Sequence, residues 1–419
     1  MLDRSDLPYS IFQKDGTRNL WVRFSIKGEG QVRKSLGTSD PQIAQQKAHA
    51  VWYEANYRAR NGLKSQTTSF AEAAEDFIAM VERDVERGDR PAYHSRDIPP
   101  VVRRYFIAFF GKKDIDAITE RDITRYLEWR KDYWLTGPGK EVTEIRYIRN
   151  GRSIRRPVGE KRVPTVSRQR GEMVVLRQLF RHAVRAGNLN HAQIPPIGVP
   201  RAGAPTNRPS FSPAEFQKLL KFSLSWSTNM SLPEDKRWTR LVLHAQILLA
   251  AFSGMRPTEM KNLNWGDVLG YRAGRKLPVG ERDITIRVRG KGKSREFVPL
   301  EAAIPALDML WDFWVRYQKG EPKDTHPVLA TRDGKRLGST VKIFNEMLKF
   351  TKLETDYRGV KRTMYSFRHF YISQQLAHGV DVFALARNTG TSSEMIDKFY
   401  GQVSNARMKK HLRPEWADS

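Results

Sequence analysis

The chain has 419 residues, of which 73 are lysine or arginine and 46 are aspartate or glutamate, giving a formal net charge of +27. It contains no cysteine, which excludes a disulfide framework, a thiolate metal site and a thiol nucleophile. This length predicts two or three domains, and the basic excess favours a polyanionic partner such as nucleic acid. The sequence shows neither an apolar signal segment nor a run of about 18 apolar residues, so we expect a cytoplasmic, nucleoid-associated protein without membrane contact.

Residues 1–63 predict a small module of three strands and one helix. Three stretches alternate polar and apolar residues and are separated by glycine-containing turns: Pro8–Phe12, Asn19–Ile26 and Gln31–Leu36. Pro41, placed after Ser-Asp, opens the helix. The basic strand residues Arg23, Arg33 and Lys34 are candidate DNA contacts, since strands can enter a major groove. The alternative is a packing or dimerisation module.

Residues 67–198 predict a mainly helical domain. Its expected helices start at Ser69, near Val101, after Thr119 and near Ser167, the first with a capping-box pattern.

A basic hairpin near 144–156 interrupts this helical pattern, because Asn-Gly joins two short extended runs. Residues 140–170 contain ten lysine and arginine residues against three acidic residues. A solvated face or a disordered loop is one interpretation, and contact with DNA phosphates is the other. The candidate contacts are Arg146, Arg149, Arg152, Arg155 and Arg156.

A proline-rich linker at 199–209 precedes the last domain, which we place at 210–419. Pro200, Pro205 and Pro209 oppose helix continuation and favour an extended tether. The last domain should be mostly helical, with two strands flanking a Gly-Lys-Gly-Lys turn. In this turn Lys293 is a further candidate DNA contact.

Four short segments of this domain carry residues suited to phosphoryl transfer: Ser253–Glu259, Arg289–Lys293, Tyr365–His369 and Asp397–Tyr400. Their candidates are Arg256, Lys291, Arg368 and Tyr400. Arginine stays ionised at physiological pH and offers a planar fork of donors that matches phosphate oxygens. Lysine can give up a proton, and a tyrosine phenol can act as a nucleophile. Such a set can break and rejoin DNA strands.

These motifs resemble those of the tyrosine recombinase (phage integrase) family, and the resemblance covers most of the chain. The family's first arginine motif, Thr-Gly-Leu-Arg-x-x-Glu, is matched by Ser253–Glu259, and its lysine hairpin by Gly290–Leu300 with one residue fewer. The resemblance implies that Arg256 and Arg368 clamp the scissile phosphate. It also implies that Lys291 is the general acid and Tyr400 the nucleophile.

Two positions depart from the family pattern. Tyr365 replaces the histidine that begins the second arginine motif, and Thr391, nine residues before Tyr400, replaces a histidine or tryptophan. A phenol with a pKa of about 10 is a poor base at neutral pH, so Tyr365 is expected to hydrogen-bond a phosphate oxygen instead. Thr391 can donate one hydroxyl hydrogen bond, which covers part of what histidine or tryptophan supplies at that position. His369 and Glu259 are expected to support the site, Glu259 on the helix face of the first arginine. The base that accepts the nucleophile's proton stays unassigned.

The resemblance implies a multidomain fold that is mainly α with small antiparallel β-sheets (α+β). It would comprise an arm-type DNA-binding module, a helical core-binding domain and a mixed α/β catalytic domain with a C-terminal tail. The implied function is site-specific recombination through a 3′-phosphotyrosyl intermediate, integrating or excising a mobile element without metal, ATP or another cofactor. The implied partners are double-stranded DNA with att-like sites, further copies in a homo-tetramer, and an accessory directionality factor. Two alternatives stay open: a topoisomerase IB-like strand-passing enzyme, and a DNA-binding protein with an inactive site.

Overall fold

The computed structural model describes residues 7–149, 152–201, 208–290 and 293–398. The chain divides into two compact units, Met1–Gly203 and Ala204–Ser419. Within the described ranges it is mostly helical and has three small antiparallel sheets, as the sequence predicts. No helix in those ranges is both long and apolar enough to cross a bilayer.

The first unit begins with an antiparallel sheet in the order β1–β2–β3, formed by Ser10–Gln13, Leu20–Ile26 and Gly30–Ser35. Helix α1 (Pro41–Arg60) follows, and the Asp40 carboxylate caps it by accepting hydrogen bonds from two backbone N–H groups of the first turn. Alternate residues of β2 are buried and form a small core with alanines of α1. This core is separate from that of the helices that follow.

The helical part of the first unit has a core of aromatic side chains that includes Phe70, Phe77, Phe106, Tyr126 and Phe180. Its helices are α2 (Phe70–Glu86), α3 (Tyr93–Val101), α4 (Ala108–Phe110), α5 (Glu120–Asp132) and α6 (Val166–Arg185). The hydroxyl groups of Ser69, Thr119 and Thr165 cap α2, α5 and α6.

The start of α3 differs from the sequence-based expectation. The helix begins at Tyr93 rather than near Val101, and it includes Pro99 and Pro100. Each proline removes a backbone donor from the helical ladder, which is why local rules place a boundary there. The following residues, Val102–Ile107, are π-helical. The wider turn is a common response to a disturbed hydrogen-bond ladder, and the buried aromatic core keeps the segment helical.

Arg58 at the end of α1 joins the sheet module to the helical core. Its side chain is 6% exposed and forms an ion pair with Asp116. Its Nη2 donates to the carbonyl oxygen of Asn188 at 2.9 Å. The carboxylate of Glu29, between β2 and β3, accepts a hydrogen bond from the backbone N–H of Ser65 at 2.7 Å. Two separate points therefore hold the module on the helices.

The basic hairpin forms a sheet of its own, with β4 (Glu144–Arg149) antiparallel to β5 (Arg152–Pro157). The Asn-Gly turn expected at residues 150–151 lies outside the described residues.

Among its described residues, the second unit packs its helices and one sheet around one large hydrophobic core and one smaller cluster. The helices are α7 (Pro213–Ser227), α8 (Glu234–Ser253), α9 (Pro257–Asn262), α10 (Tyr271–Gly274), α11 (Ile304–Gln318), α12 (Val341–Thr351), α13 (Tyr365–Ala377) and α14 (Val382–Thr389). Residues 393–398 are also helical. The sheet has the order β6–β7–β8, formed by Val268–Leu269, Thr285–Gly290 and Lys293–Phe297. Strand β6 is an addition to the two strands that the sequence predicts.

Candidate active site

The C-terminal end of α14 is where distant segments of the second unit meet. Three successive backbone carbonyls, those of residues 388, 389 and 390, each accept a hydrogen bond from a different arginine: Arg295, Arg368 and Arg256. The last carbonyls of a helix lack intrahelical donors and carry partial negative charge, so guanidinium groups are suitable partners. The two arginine motifs and the Thr389–Thr391 segment therefore come together in space.

Arg256 lies where α8 turns into α9. Gly254 ends α8 with a φ of 64°, a left-handed conformation that glycine adopts without steric cost. Pro257 begins α9 directly after Arg256. The arginine's Nη2 donates to the carbonyl oxygen of Gly390, and its Nη1 donates to Glu259 at 2.6 Å. Its side chain is 35% exposed, which leaves it accessible to a ligand.

Arg368 lies one turn into α13 and is only 2% exposed. Its Nη1 donates to the carbonyl oxygen of Gly254 at 2.6 Å, and its Nη2 donates to that of Thr389 at 2.8 Å. Burial, together with the nearby charge of Arg256, lowers the pKa of this guanidinium from its usual value. Two hydrogen bonds to carbonyls hold the buried cation in one orientation.

Glu259 supplies the carboxylate of the cluster. Its side chain is 5% exposed and accepts from Arg256 Nη1, from the Arg256 backbone N–H at 2.9 Å, and from Arg295 Nη2 at 2.8 Å. These contacts connect Glu259 to Arg256 and Arg295, and its supporting role stays a prediction. The cluster holds three guanidinium groups around this one carboxylate, so it keeps an excess of positive charge in a largely buried place.

Sequence reasoning gave no role to Arg295, although this residue belongs to the lysine-hairpin motif. It lies on β8, and burial lowers its pKa while the Glu259 carboxylate opposes that change. Its alternation with the other residues of β8 could have indicated a face directed toward the site. The partner of that face could not be found from local pattern alone.

Tyr365 and His369 are neighbours on α13, with ring centroids 5.2 Å apart. The guanidinium of Arg208 lies over the Tyr365 ring, 5.0 Å from its centroid. Burial, helped by the charges of Arg208 and Arg368, lowers the pKa of His369 to about 3. This imidazole is therefore neutral at physiological pH, and its supporting role stays a prediction. Thr391 is half-buried, directly after the three carbonyls that bind the arginines.

Lys291 and Tyr400, the expected acid and nucleophile, lie outside the described residues. The register of β7 and β8 pairs Gly290 with Lys293, so residues 291 and 292 connect the two strands. On the other side, the helical residues 393–398 are anchored by Ile396, which is 1% exposed and packs in a small cluster with residues of α13 and α14. The description ends two residues before Tyr400. The side chain of Lys293 is not described.

The candidate DNA contacts of the first sheet divide between its two faces. Arg23 on β2 is directly opposite Arg33 on β3, and both are exposed. Lys34 pairs with the buried Val22, so it belongs to the other face, the one toward α1. The structure brings Arg23 and Arg33 together but separates Lys34 from them.

The hairpin contacts show a similar arrangement. Arg146 on β4 is directly opposite Arg155 on β5, and both are exposed. Arg156 is also exposed but alternates to the other face. Register pairs Arg149 with Arg152, whose side chains lie outside the description. Directly opposed like charges destabilise an antiparallel pair, and an anionic ligand would relieve this repulsion. Glu144 already compensates part of it, because its carboxylate pairs with Arg146 at 2.8 Å.

Comparisons with known proteins identify the fold. No protein-family model matches the chain, and no curated protein matches it. A solved structure of a lambda integrase dimer bound to a COC' core site is similar over 97% of this chain and 98% of that chain, with 15% identity and a TM-score of 0.52. The Tn1549 transposon integrase with transposon right end DNA is similar over 84% and 100%, with 13% identity and a TM-score of 0.53. The XerH site-specific recombinase in a post-cleavage complex is similar over 87% and 88%, with 14% identity and a TM-score of 0.51.

These similarities show that the chain has the multidomain fold of tyrosine recombinases. The fold expected from the sequence motifs is therefore confirmed. At 13–15% identity these similarities show the fold alone, and the candidate site is inferred from the distances and contacts of this structure.

Proposed function

We propose that this chain is a site-specific DNA recombinase, an integrase that cleaves and rejoins DNA through a tyrosine. The observation that carries the proposal is the convergence of Arg256, Arg368 and the Thr389–Thr391 segment at one end of α14. These parts come from three segments that are distant in sequence, and they form a cationic site next to the chain that leads to Tyr400. A core that needed only stability would not require three arginines around one carboxylate.

In the proposed reaction, the Tyr400 phenolic oxygen attacks the scissile phosphorus and the bond to the 5′-oxygen breaks. The phenol's proton passes to solvent, and the Lys291 ammonium gives a proton to the leaving 5′-oxygen, so cleavage consumes no net proton. Arg256 and Arg368 stabilise the negative charge that grows on the nonbridging oxygens. The product is a 3′-phosphotyrosyl link, which a 5′-hydroxyl from another strand can attack to rejoin DNA without ATP.

Tyr365 and Thr391 fill the positions of the missing imidazoles in this proposal. Both carry a hydroxyl that can donate one hydrogen bond to a phosphate oxygen. His369 is neutral at physiological pH and stays a supporting residue, because an imidazole with a pKa of about 3 carries no acidic imidazolium proton there and is a weak base.

The DNA partner would be held in part by exposed basic residues of the first unit. The opposed pairs Arg23–Arg33 and Arg146–Arg155 are suited to phosphate contacts, and the +27 charge would make binding strongly salt-dependent. We further propose assembly as a tetramer, by analogy with a lambda integrase tetramer bound to a Holliday junction. Att-like recombination sites and a directionality factor are proposed from the resemblance of the sequence motifs alone.

The test is a duplex with a nick close to the cleavage position, which traps the covalent intermediate because the short 5′-fragment diffuses away. Wild type should give a protein–DNA adduct that resists denaturation, and Tyr400→Phe should give none while still binding DNA. If wild type forms no adduct on candidate sites that it binds, recombinase activity is refuted.

The same assay decides the alternative that the site is inactive, which the replacements Tyr365 and Thr391 favour. An inactive DNA-binding protein would bind the nicked duplex without adduct formation. A topoisomerase-like enzyme would instead form adducts and relax supercoiled DNA that lacks matched sites.

A further inference from the structure

The proposed reaction assigns no role to Arg295, the third arginine of the cluster. Its side chain is 20% exposed, against 35% for Arg256. Both terminal nitrogens are engaged: Nη1 donates to the carbonyl oxygen of Asn388 and Nη2 to Glu259, each at 2.8 Å. The fork therefore connects β8 to the end of α14 and to α9 at once.

A second set of contacts joins Val298, the residue that follows β8, to α14. The Asn388 side chain accepts from the backbone N–H of Val298 at 3.0 Å and donates to the Val298 carbonyl at 3.1 Å. Gly390 leaves space for the Arg295 guanidinium, because a Cβ at this position would collide with Arg295 Nε. The β7–β8 hairpin is thus tied to α14 at two points, residue 295 within β8 and residue 298 directly after it.

Burying an arginine here is costly, and stability alone does not explain it. Burial lowers the pKa of the guanidinium, which reports the cost of taking this charge out of water. Replacing a buried ion pair with well-packed apolar side chains is often neutral or stabilising. What an apolar side chain cannot supply is a fixed direction toward two acceptors on different elements.

The hairpin that Arg295 fastens is the one that carries Lys291. Lys291 precedes Arg295 by four residues, which corresponds to a span of roughly 13 Å or less along an extended chain. Arg256 also contacts Glu259, so one carboxylate relates the hairpin to the phosphate clamp.

We infer that Arg295 is a positioning residue for the general acid: it fixes strand β8 of the hairpin relative to the phosphate clamp, so that Lys291 reaches the leaving 5′-oxygen. This inference rests on the proposed recombinase function. It assigns Arg295 to leaving-group protonation, acting through Lys291, and not to charge stabilisation on the phosphate.

A role in protonating the leaving group can be distinguished from a role in stabilising charge on the phosphate. The distinction requires a substrate whose leaving group needs no proton. In a substrate whose scissile 5′-oxygen is replaced by sulfur, the leaving thiolate is stable without protonation, so the general acid is dispensable. Loss of a phosphate-clamping cation would still slow cleavage of this substrate. Adduct formation is therefore measured for the ordinary nicked duplex and for its 5′-thio analogue, at equal DNA occupancy.

Arg295→Gln should slow adduct formation on the ordinary substrate about 10- to 100-fold, within the range that general acid catalysis contributes. On the 5′-thio substrate it should cleave within about threefold of wild type, as Lys291→Ala should. Arg368→Gln should stay slow on both substrates. Arg287→Gln is the matched control, because it removes an arginine from the same hairpin whose partner, Glu296, is half-exposed; it should cleave both substrates normally.

Arg295→Lys keeps the charge but cannot reach both acceptors, so it should show a smaller defect with the same thio rescue. This variant also carries the test if the glutamine variant does not fold. Normal cleavage of the ordinary substrate by Arg295→Gln, or an equal defect on both substrates, would overturn the inference. Absence of adduct with wild type on either substrate would instead refute the recombinase function itself.

Discussion

Replacing Glu259 with glutamine removes one charge from the centre of the arginine cluster while keeping the side chain's volume. The glutamine oxygen can still accept one hydrogen bond, but its amide end points donors at a guanidinium. Arg256, Arg295 and Arg368 would then remain close together without their carboxylate. We expect the variant to fold with a loosened site and a clear loss of stability.

The magnitude follows from burial. Removing one partner of a buried ion pair typically costs about 3–5 kcal/mol. The two partners of Glu259 are 35% and 20% exposed, so water compensates part of the loss, and we expect about 3 kcal/mol at the low end of that range. In a unit of roughly 200 residues this corresponds to a fall in Tm of about 6–12 °C.

Calorimetry of the full chain measures this change, with Glu296→Gln as the control. Glu296 pairs with Arg287 in the same sheet but is 50% exposed, so its loss should cost at most about 1 kcal/mol. Sulfate or duplex DNA should raise the Tm of Glu259→Gln more than that of wild type, because an anion can take the place of the missing carboxylate. A Tm for Glu259→Gln equal to that of the control would refute the reasoning.

Three further changes test other parts of the structure. Gly390→Ala should lower the free energy of unfolding in urea by about 2–4 kcal/mol, because it places a Cβ on a left-handed backbone and against the Arg295 guanidinium. Gly359 is also left-handed but lies in open space, so Gly359→Ala should cost about 1 kcal/mol. Equal losses of unfolding free energy in the two variants would contradict this. His369 has a folded pKa of about 3, below its unfolded value of about 6.5, so the stability of the protein should fall as the pH drops from about 6.5 to about 3. His369→Gln should make the urea midpoint depend less on pH within this range. An unchanged pH dependence would show that the imidazole is not buried in its neutral form. Glu172→Gln should cost about 3 kcal/mol, because Glu172 and Arg130 form a pair with side chains 2% and 3% exposed. The double change Arg130→Met, Glu172→Gln should recover most of it, because it removes the unpaired guanidinium and keeps an acceptor for the Tyr126 hydroxyl. A double variant as unstable as the single would argue against an unpaired charge as the cause.

The order of elements could be predicted from local signals, because caps and turns are local chemistry. Asp40, Ser69 and Thr119 each cap the helix that the sequence assigns to them. The start of α3 could not, since two prolines are a local stop signal and only the packing of a buried aromatic core overrides them.

The candidate site divides in the same way. The motifs predict which arginines belong to it, and the geometry brings Arg256 and Arg368 to one helix end. The role of Arg295 depends on where β8 meets α14, a contact 93 residues apart in sequence that no periodicity encodes. Lys34 shows the reverse difficulty: it is adjacent to Arg33 in sequence, but strand alternation and register place it on the opposite face.

The contact between Arg58 and Asp116 decides how the roles of the two parts of the first unit can be separated by experiment. Cutting the chain after α1 would remove the first sheet, but it would also take the guanidinium from a carboxylate that is 10% exposed. By the usual cost of an uncompensated buried charge, the shortened protein would lose about 3–5 kcal/mol from its helical part. Weak DNA binding by such a fragment would then mix lost contacts with a loosened bundle. Arg23→Gln with Arg33→Gln keeps the anchor intact and removes only the exposed charges, so it isolates what the sheet itself contributes to binding.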